Sequence, residues 1–110
     1  MIQRGGFQSM WVIVLFDLPT TTKKERKQYS NFRKSLLESG FLQMQFSVYA
    51  RFSSSPEKAD SIQSKVVASL PPNGEVRILR MTDNQYARMR IFRKKAEIEV
   101  ENAPTQLCFF

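Results

Sequence analysis

The spacing of apolar and polar positions changes repeatedly along the chain, and each change predicts a new element. Trp11, Val12, Ile13, Val14, Leu15 and Phe16 are an unbroken β-branched and aromatic run, the pattern of a central strand covered on at least one face. Pro19 stops it. Thr22 and Glu25 stand at the spacing of a capping box, in which hydroxyl and carboxylate satisfy free amides of a first helical turn. Tyr29, Phe32, Leu36 and Leu37 then recur at helical spacing, and Gly40 suits the left-handed residue that closes such a helix, so a helix is expected over about 22–39. From Phe41 the period becomes two: Leu42, Met44, Phe46, Val48, Ala50 and Phe52 alternate with Gln43, Gln45, Ser47, Tyr49 and Arg51. This is one long strand, or two joined by a bulge, with Tyr49 and Arg51 on its polar side. Ser55 and Pro56 read as N-cap and first residue of a second helix, with Ala59, Ile62, Val66 and Leu70 as its buried stripe. Pro71, Pro72, Asn73 and Gly74 signal a turn before a strand over 75–81. Thr82 and Gln85 form a second capping box, opening a short helix over 83–90. Residues 91–93 suit a brief strand, 94–103 are charged and poorly periodic, and 105–110 read as a last strand after Pro104.

The order strand, helix, long or split strand, helix, strand is the ferredoxin-like βαββαβ plan, an α+β fold with an antiparallel sheet and two helices on one face. It divides the chain into an N-terminal extension (1–9), the domain (10–93) and a C-terminal segment (94–110). In that plan one sheet face is left uncovered, yet the first strand is apolar on both. Exposing several Val, Ile and Phe side chains would forfeit several kcal/mol at about 25 cal/mol per Å². The expected cover is a second copy, sheet face to sheet face, with the C-terminal strand pairing across a homodimer.

Composition narrows the chemistry. At 110 residues there is room for one core, and 42% hydrophobic residues suffice to build it. Seventeen Lys and Arg against ten Asp and Glu give +7 and a pI near 9.9, which points to a polyanionic partner. All 17 bases and seven of the acids precede residue 96, a balance of +10; the remaining residues hold three acids and no base, −3. Histidine is absent, which excludes imidazole-based catalysis and His-containing zinc sites. The single Cys108 allows no internal disulfide and suits a reducing cytoplasm, and its apolar setting gives it no assigned chemistry. Four glycines cannot supply a Gly-rich phosphate loop, and the apolar run at 10–16 is too short to span a membrane.

Asp17 is the one acid at the C-terminal end of an apolar strand, where functional carboxylates are commonly presented, and a carboxylate is a ligand Mg²⁺ prefers. One carboxylate does not make a site, but a two-fold axis could bring both copies of Asp17 together around a metal. The alternative is that Asp17 only caps the Asp-Leu-Pro turn. On the first helix, Lys23, Lys27 and Lys34 share a narrow sector opposite the apolar stripe, and Arg26 and Arg33 flank it. Such a stripe either lies along phosphates or is a solvated face. Arg77 and Arg80 on the strand, and Arg88, Arg90, Arg93, Lys94 and Lys95 beyond it, add further bases, and together the groups favour a polyanion surface. An RNA-recognition domain shares the fold and would stack bases on sheet aromatics such as Tyr49, but its Gly-aromatic signature is missing.

The run from Val12 through Asp17, Leu18 and Pro19, the Lys23, Lys24, Glu25, Arg26, Lys27 helix start, Ser39-Gly40-Phe41 and Gln45-Phe46-Ser47-Val48-Tyr49 together resemble the small CRISPR-associated protein of the Cas-two family. Thr82 to Met89 is similar to the branch found beside Cas-nine effectors, and residues 105–110 to the family's terminal swapped strand. The resemblance implies a ferredoxin-like homodimer that bridges dimers of the Cas-one integrase and holds captured double-stranded DNA during spacer acquisition. It also implies that Asp17 occupies the family's metal position, through which some members cleave RNA or duplex DNA with Mg²⁺. A single carboxylate per chain with no general base makes a poor nuclease, while basic stripes on a rigid dimer make a good duplex grip. The expected role is therefore a DNA-binding adaptation scaffold, with Lys23, Lys27, Lys34, Arg26, Arg33, Arg77, Arg80 and Arg88 on nucleic acid. The alternative is a metal-dependent phosphodiesterase acting through Asp17.

Overall fold

A computed structural model describes residues 9–103. The expected terminal strand at 105–110, Cys108 within it and nearly all of the N-terminal extension lie outside the described residues. The first strand, β1 (Met10–Asp17), sits at the centre of a four-stranded antiparallel sheet. Helix α1 (Lys23–Glu38) follows, then β2 (Leu42–Gln45), β3 (Val48–Ser53), α2 (Pro56–Ala68) and β4 (Glu75–Thr82). The strand order β2-β3-β1-β4 is that of the ferredoxin-like βαββαβ plan.

The helix ends are built as their caps dictate. Thr22 Oγ1 accepts from the Glu25 amide at 3.1 Å while Glu25 Oε1 accepts from the Thr22 amide at 2.9 Å. Ser55 accepts from the Lys58 amide, with Pro56 in the first turn of α2. Gly40 takes a φ of 87° just beyond α1. Two residues expected in buried stripes are not there: Leu37 is exposed on α1, and Leu70 lies past the end of α2 and is exposed as well.

The period-two stretch is a hairpin. β2 and β3 pair antiparallel across the tight turn at Phe46 and Ser47, with Gln45 opposite Val48 and a register shift between Gln43 and Gln45. The alternation is real, but the set placed on the polar side, Tyr49 with Arg51, is the one that faces the helices. Tyr49 is fully buried beneath the helices, its ring stacked on Phe16 at 5.6 Å, so it offers no face to a base. Its hydroxyl has no hydrogen-bond partner among the described residues, consistent with a side chain held there by its ring. Phe32, Leu36, Phe41, Ile62 and Val66 complete this core with Val12, Val14 and Phe16.

The other face carries a second core. Trp11, Ile13 and Ala50 are buried there together with Tyr86, and Met44, Val48, Phe52, Met81 and Val100 pack around them. The cover comes from the chain itself in part. Helix α3 (Asp83–Ala87) starts at the Thr82–Gln85 capping box and is shorter than the 83–90 expected. It lays Tyr86 flat on Trp11 with 3.9 Å between ring centroids, and the Tyr86 hydroxyl donates to Glu101 at 2.8 Å. The Trp11 indole N–H donates to the buried Asp83 carboxylate at 2.7 Å. An apolar run readable on both faces of β1 is thus satisfied by two cores, and the need for an outside partner is smaller than the bare βαββαβ plan suggests.

Residues 94–103 contain a strand that their composition hides. Strand β5 (Ile91–Arg93) pairs with β6 (Ala96–Ile98), and this hairpin straddles the boundary drawn at residue 93. Lys94 and Lys95 make its turn with φ of 52° and 70°, the left-handed pair a two-residue hairpin turn demands. Nothing in two lysines signals that turn, because Gly or Asn ordinarily supplies it. Arg90 and Glu97 bridge the base of the hairpin through paired contacts at 3.0 and 3.1 Å, and the Glu97 hydrogen bonds raise the Arg90 pKa further.

Candidate nucleic-acid interface and carboxylate site

Three chain segments meet at the end of the sheet where β1 stops. The Leu15 to Val48 pairing brings the β2–β3 turn there, and the Phe16 amide donates to the Ser47 carbonyl at 3.1 Å. The Asp17 to Glu75 pairing brings the start of β4. The loop to α1 is tied down by Glu25, which accepts from the Thr21 and Thr22 amides, and by Arg26, which donates to the Thr20 and Thr21 carbonyls at 3.2 and 2.9 Å. These bonds fix the loop that follows Asp17 and Leu18 to the first turn of α1.

Asp17 is exposed. It shares the parity of Trp11 and Ile13, so its side chain is on the sheet face opposite α1 and α2. Directly across from it stands Glu75, also exposed, whose Oε1 accepts from Arg77 Nε at 2.9 Å. Residues paired in this way have their Cβ atoms about 5 Å apart, so each chain presents two carboxylates side by side where the sequence displayed one. Glu75 is legible in sequence only as the first residue after a turn; the strand register alone reveals its neighbour. Among the described residues no group of three acidic or sulfur ligands assembles. Two carboxylates still fit a hard cation such as Mg²⁺, which is commonly held by one or two of them and completes its shell with water and phosphate oxygens.

Gly74 sets how closely β4 approaches this site. Its φ is 89°, and a Cβ there would lie 2.7 Å from both the Asp17 carbonyl oxygen and Leu18 Cδ2. Gly74→Ala is therefore expected to cost about 2 kcal/mol of stability, from the left-handed backbone and the forced contact together. Urea denaturation measures it; a loss below about 0.5 kcal/mol would mean that the turn relaxes freely.

The structure separates the basic residues into distinct groups. Lys23, Lys27 and Lys34 are exposed along α1, as are Arg26 and Arg33 on its flank. Arg26 is engaged with the loop carbonyls, and Arg33 reaches Gln43 on β2 at 3.4 Å. Arg77 and Arg80 project to opposite sides of β4. Arg77 lies on the Asp17 side, whereas Arg80 lies against α2, paired with Asp60 and donating to the Pro56 carbonyl. Arg88 caps the C-terminus of α3 and is exposed.

The comparisons with known proteins bear on this arrangement. The family model described as CRISPR associated protein Cas2 matches residues 10–89, which span the whole βαββαβ unit and α3. The chain belongs to the CRISPR-associated Cas2 family. A relative from Parvibaculum lavamentivorans is 48% identical over 101 residues, covering 92% of this chain and all of the relative. One from Flavobacterium psychrophilum is 42% identical over 94% of this chain and 90% of its own length, and one from Streptococcus mutans is 34% identical over 91% and 92%. All three are named CRISPR-associated endoribonuclease Cas2. The Cas2 match takes in Asp17, the α1 bases and Glu75 alike, and the hairpin β5–β6 falls beyond the matched residues. No helix among the described residues is long and apolar enough to cross a membrane.

Proposed function

We propose that this Cas2-family chain is a homodimeric nucleic-acid-binding subunit of CRISPR adaptation. In this reading it holds captured double-stranded DNA and bridges dimers of the Cas-one integrase during spacer acquisition. The observation that carries it is the row of exposed lysines on α1, rigidly mounted on a domain of net charge +7. Lysines on a fixed helix contact phosphates without reading bases, which suits a carrier of fragments of any sequence. The second copy is supported by the sheet face carrying Asp17. There a groove of about 510 Å³, lined by Ile13, Leu15, Val48, Leu79 and Phe92, leaves Leu79 50% and Phe92 55% exposed.

A second reading, Mg²⁺-dependent phosphodiester cleavage, is favoured by the Asp17–Glu75 pair and by the relatives' name. Asp17 and Glu75 would hold the ion, which when bound polarises a phosphate oxygen and lowers the pKa of water. Arg77, tied to Glu75, would keep that carboxylate oriented. With no histidine in the chain, proton transfer would fall to carboxylates and solvent.

One set of measurements separates the two. Asp17→Ala is expected to leave dimer mass, duplex affinity and integrase-dependent spacer integration unchanged, while removing any Mg²⁺-dependent cleavage of labelled RNA or duplex DNA. Loss of integration on Asp17→Ala, with the dimer intact, would overturn the scaffold as the main role. EDTA-insensitive cleavage would overturn the metal reading.

A further inference from the structure

We propose that Phe46 is a base-stacking residue that takes the face of an unpaired nucleobase at the Asp17 end of the molecule. This rests on the nucleic-acid-binding reading above and adds a substrate feature to it. In the sequence pattern Phe46 passes for one more apolar strand position. The structure instead puts it at the tip of the β2–β3 turn, 78% exposed, the most exposed of the large hydrophobic side chains among the described residues.

It is held there by specific contacts. Gln43 Nε2 donates to the Phe46 carbonyl at 3.2 Å, and Gln43 Oε1 in turn accepts from Arg33 at 3.4 Å. The Phe46 ring leans on Tyr29 of α1, with centroids 6.3 Å apart and planes 29° from parallel. Tyr29 itself packs edge-on against the buried Phe16. One ring is thus backed by a second that is anchored in the core, and the outer ring remains open to solvent.

The surroundings say what it would meet. Arg26 and Arg33 are the helical neighbours of Tyr29 three residues before and four after it, and both are exposed, so the aromatic pair is flanked by cations. An aromatic platform in a basic field is the combination that binds single-stranded nucleic acid: cations track the backbone while bases stack on the ring. Within a duplex the base faces are covered by their neighbours, so an unpaired base is the one that offers a free face. Burial against a second copy fits less well. Phe46 leans toward α1, whereas the apolar groove lies on the other face of the sheet and is lined by the adjacent Gln45 and Val48 but not by Phe46.

The test uses the full chain, native and with Phe46→Ala or Phe46→Trp. Its probes are fluorescein-labelled oligo(dT), oligo(rU) and a blunt duplex, followed by anisotropy, with light scattering for mass. Phe46→Ala is expected to weaken single-strand binding about tenfold in one or both of the DNA and RNA arms, which also identifies the source of the base. Duplex binding and mass should be unchanged. Phe46→Trp should restore affinity, with its indole fluorescence quenched by the bound strand. Equal single-strand affinity for native and Phe46→Ala overturns the proposal, as does native protein that binds no single strand. Conversion of a native dimer to monomer by Phe46→Ala also overturns it, assigning the residue to an interface. Failure of the native protein to bind the duplex while single strands still bind through Phe46 overturns the duplex-holding reading alone.

Discussion

Replacing Lys23, Lys27 and Lys34 together with glutamate is expected to lower affinity for duplex DNA by at least about 100-fold at moderate salt, the largest functional effect the proposed role implies. Each lost phosphate contact removes about 0.9 from the slope of log affinity against log salt, so three lost contacts flatten it by about 3 for each protomer that engages the duplex, or about 5 for a dimer engaging it with both. None of the three lysines takes part in an ion pair or hydrogen bond among the described residues, so their reversal should leave the thermal midpoint close to native. That separates a binding defect from a folding defect. Arg80→Glu is the contrasting control. It breaks the pairing with Asp60 and leaves two acids in contact, so it should lower stability more than it lowers affinity. An unchanged salt slope in the triple variant would show that nucleic acid is held elsewhere, and the hairpin carrying Arg93, Lys94 and Lys95 would be the next surface to reverse.

The largest expected stability effect belongs to Trp11→Ala, a loss of about 3–5 kcal/mol in urea denaturation. Trp11 is the keystone of the core on the groove side: it stacks on Tyr86, meets Phe52 edge-on at 5.5 Å and satisfies Asp83. Its removal opens a cavity and strips a buried carboxylate of its indole donor at once. The damage should spread along one route. Tyr86 loses its support, and with it the hydrogen bond to Glu101 that holds the chain after β6, so amide exchange in α3 should quicken before that in α1. Trp11→Phe keeps one aromatic ring against Tyr86 but loses the N–H and the second ring of the indole, and a smaller loss of about 1–2 kcal/mol is expected. Equal losses in the two variants would mean that the Asp83 bond, not the ring packing, dominates.

Local chemistry was readable wherever a few adjacent residues decide it. Thr22 with Glu25, Ser55 with Pro56, and Thr82 with Gln85 specify their helix starts because a cap is made within four residues. Gly40 was legible for the same reason. The Lys94–Lys95 turn was not, since its left-handed conformation is imposed by the pairing of β5 with β6 and not by the lysines. Tyr49 shows the limit of periodicity: alternation separates two sets of side chains, but in a sheet buried on both faces polarity does not say which set meets the helices. The site follows the same division. Asp17 could be singled out because it ends an apolar run, and the α1 lysines because they recur at helical spacing. Glu75 and Phe46 could not, because one acquires meaning only from strand register and the other only from the position of a tight turn.

By itself, then, the sequence determined the βαββαβ order, the caps, the basic face of α1, a net charge of +7, and the absence of imidazole chemistry. These depend on composition and on contacts between near neighbours. Only the tertiary structure decided that β1 is buried by two cores, that Arg77 and Arg80 part to opposite faces, that Asp17 has a second carboxylate beside it, and that Phe46 stands in solvent. Those outcomes depend on which residues pair across strands distant in the chain, and that pairing is set by the packing of the whole sheet.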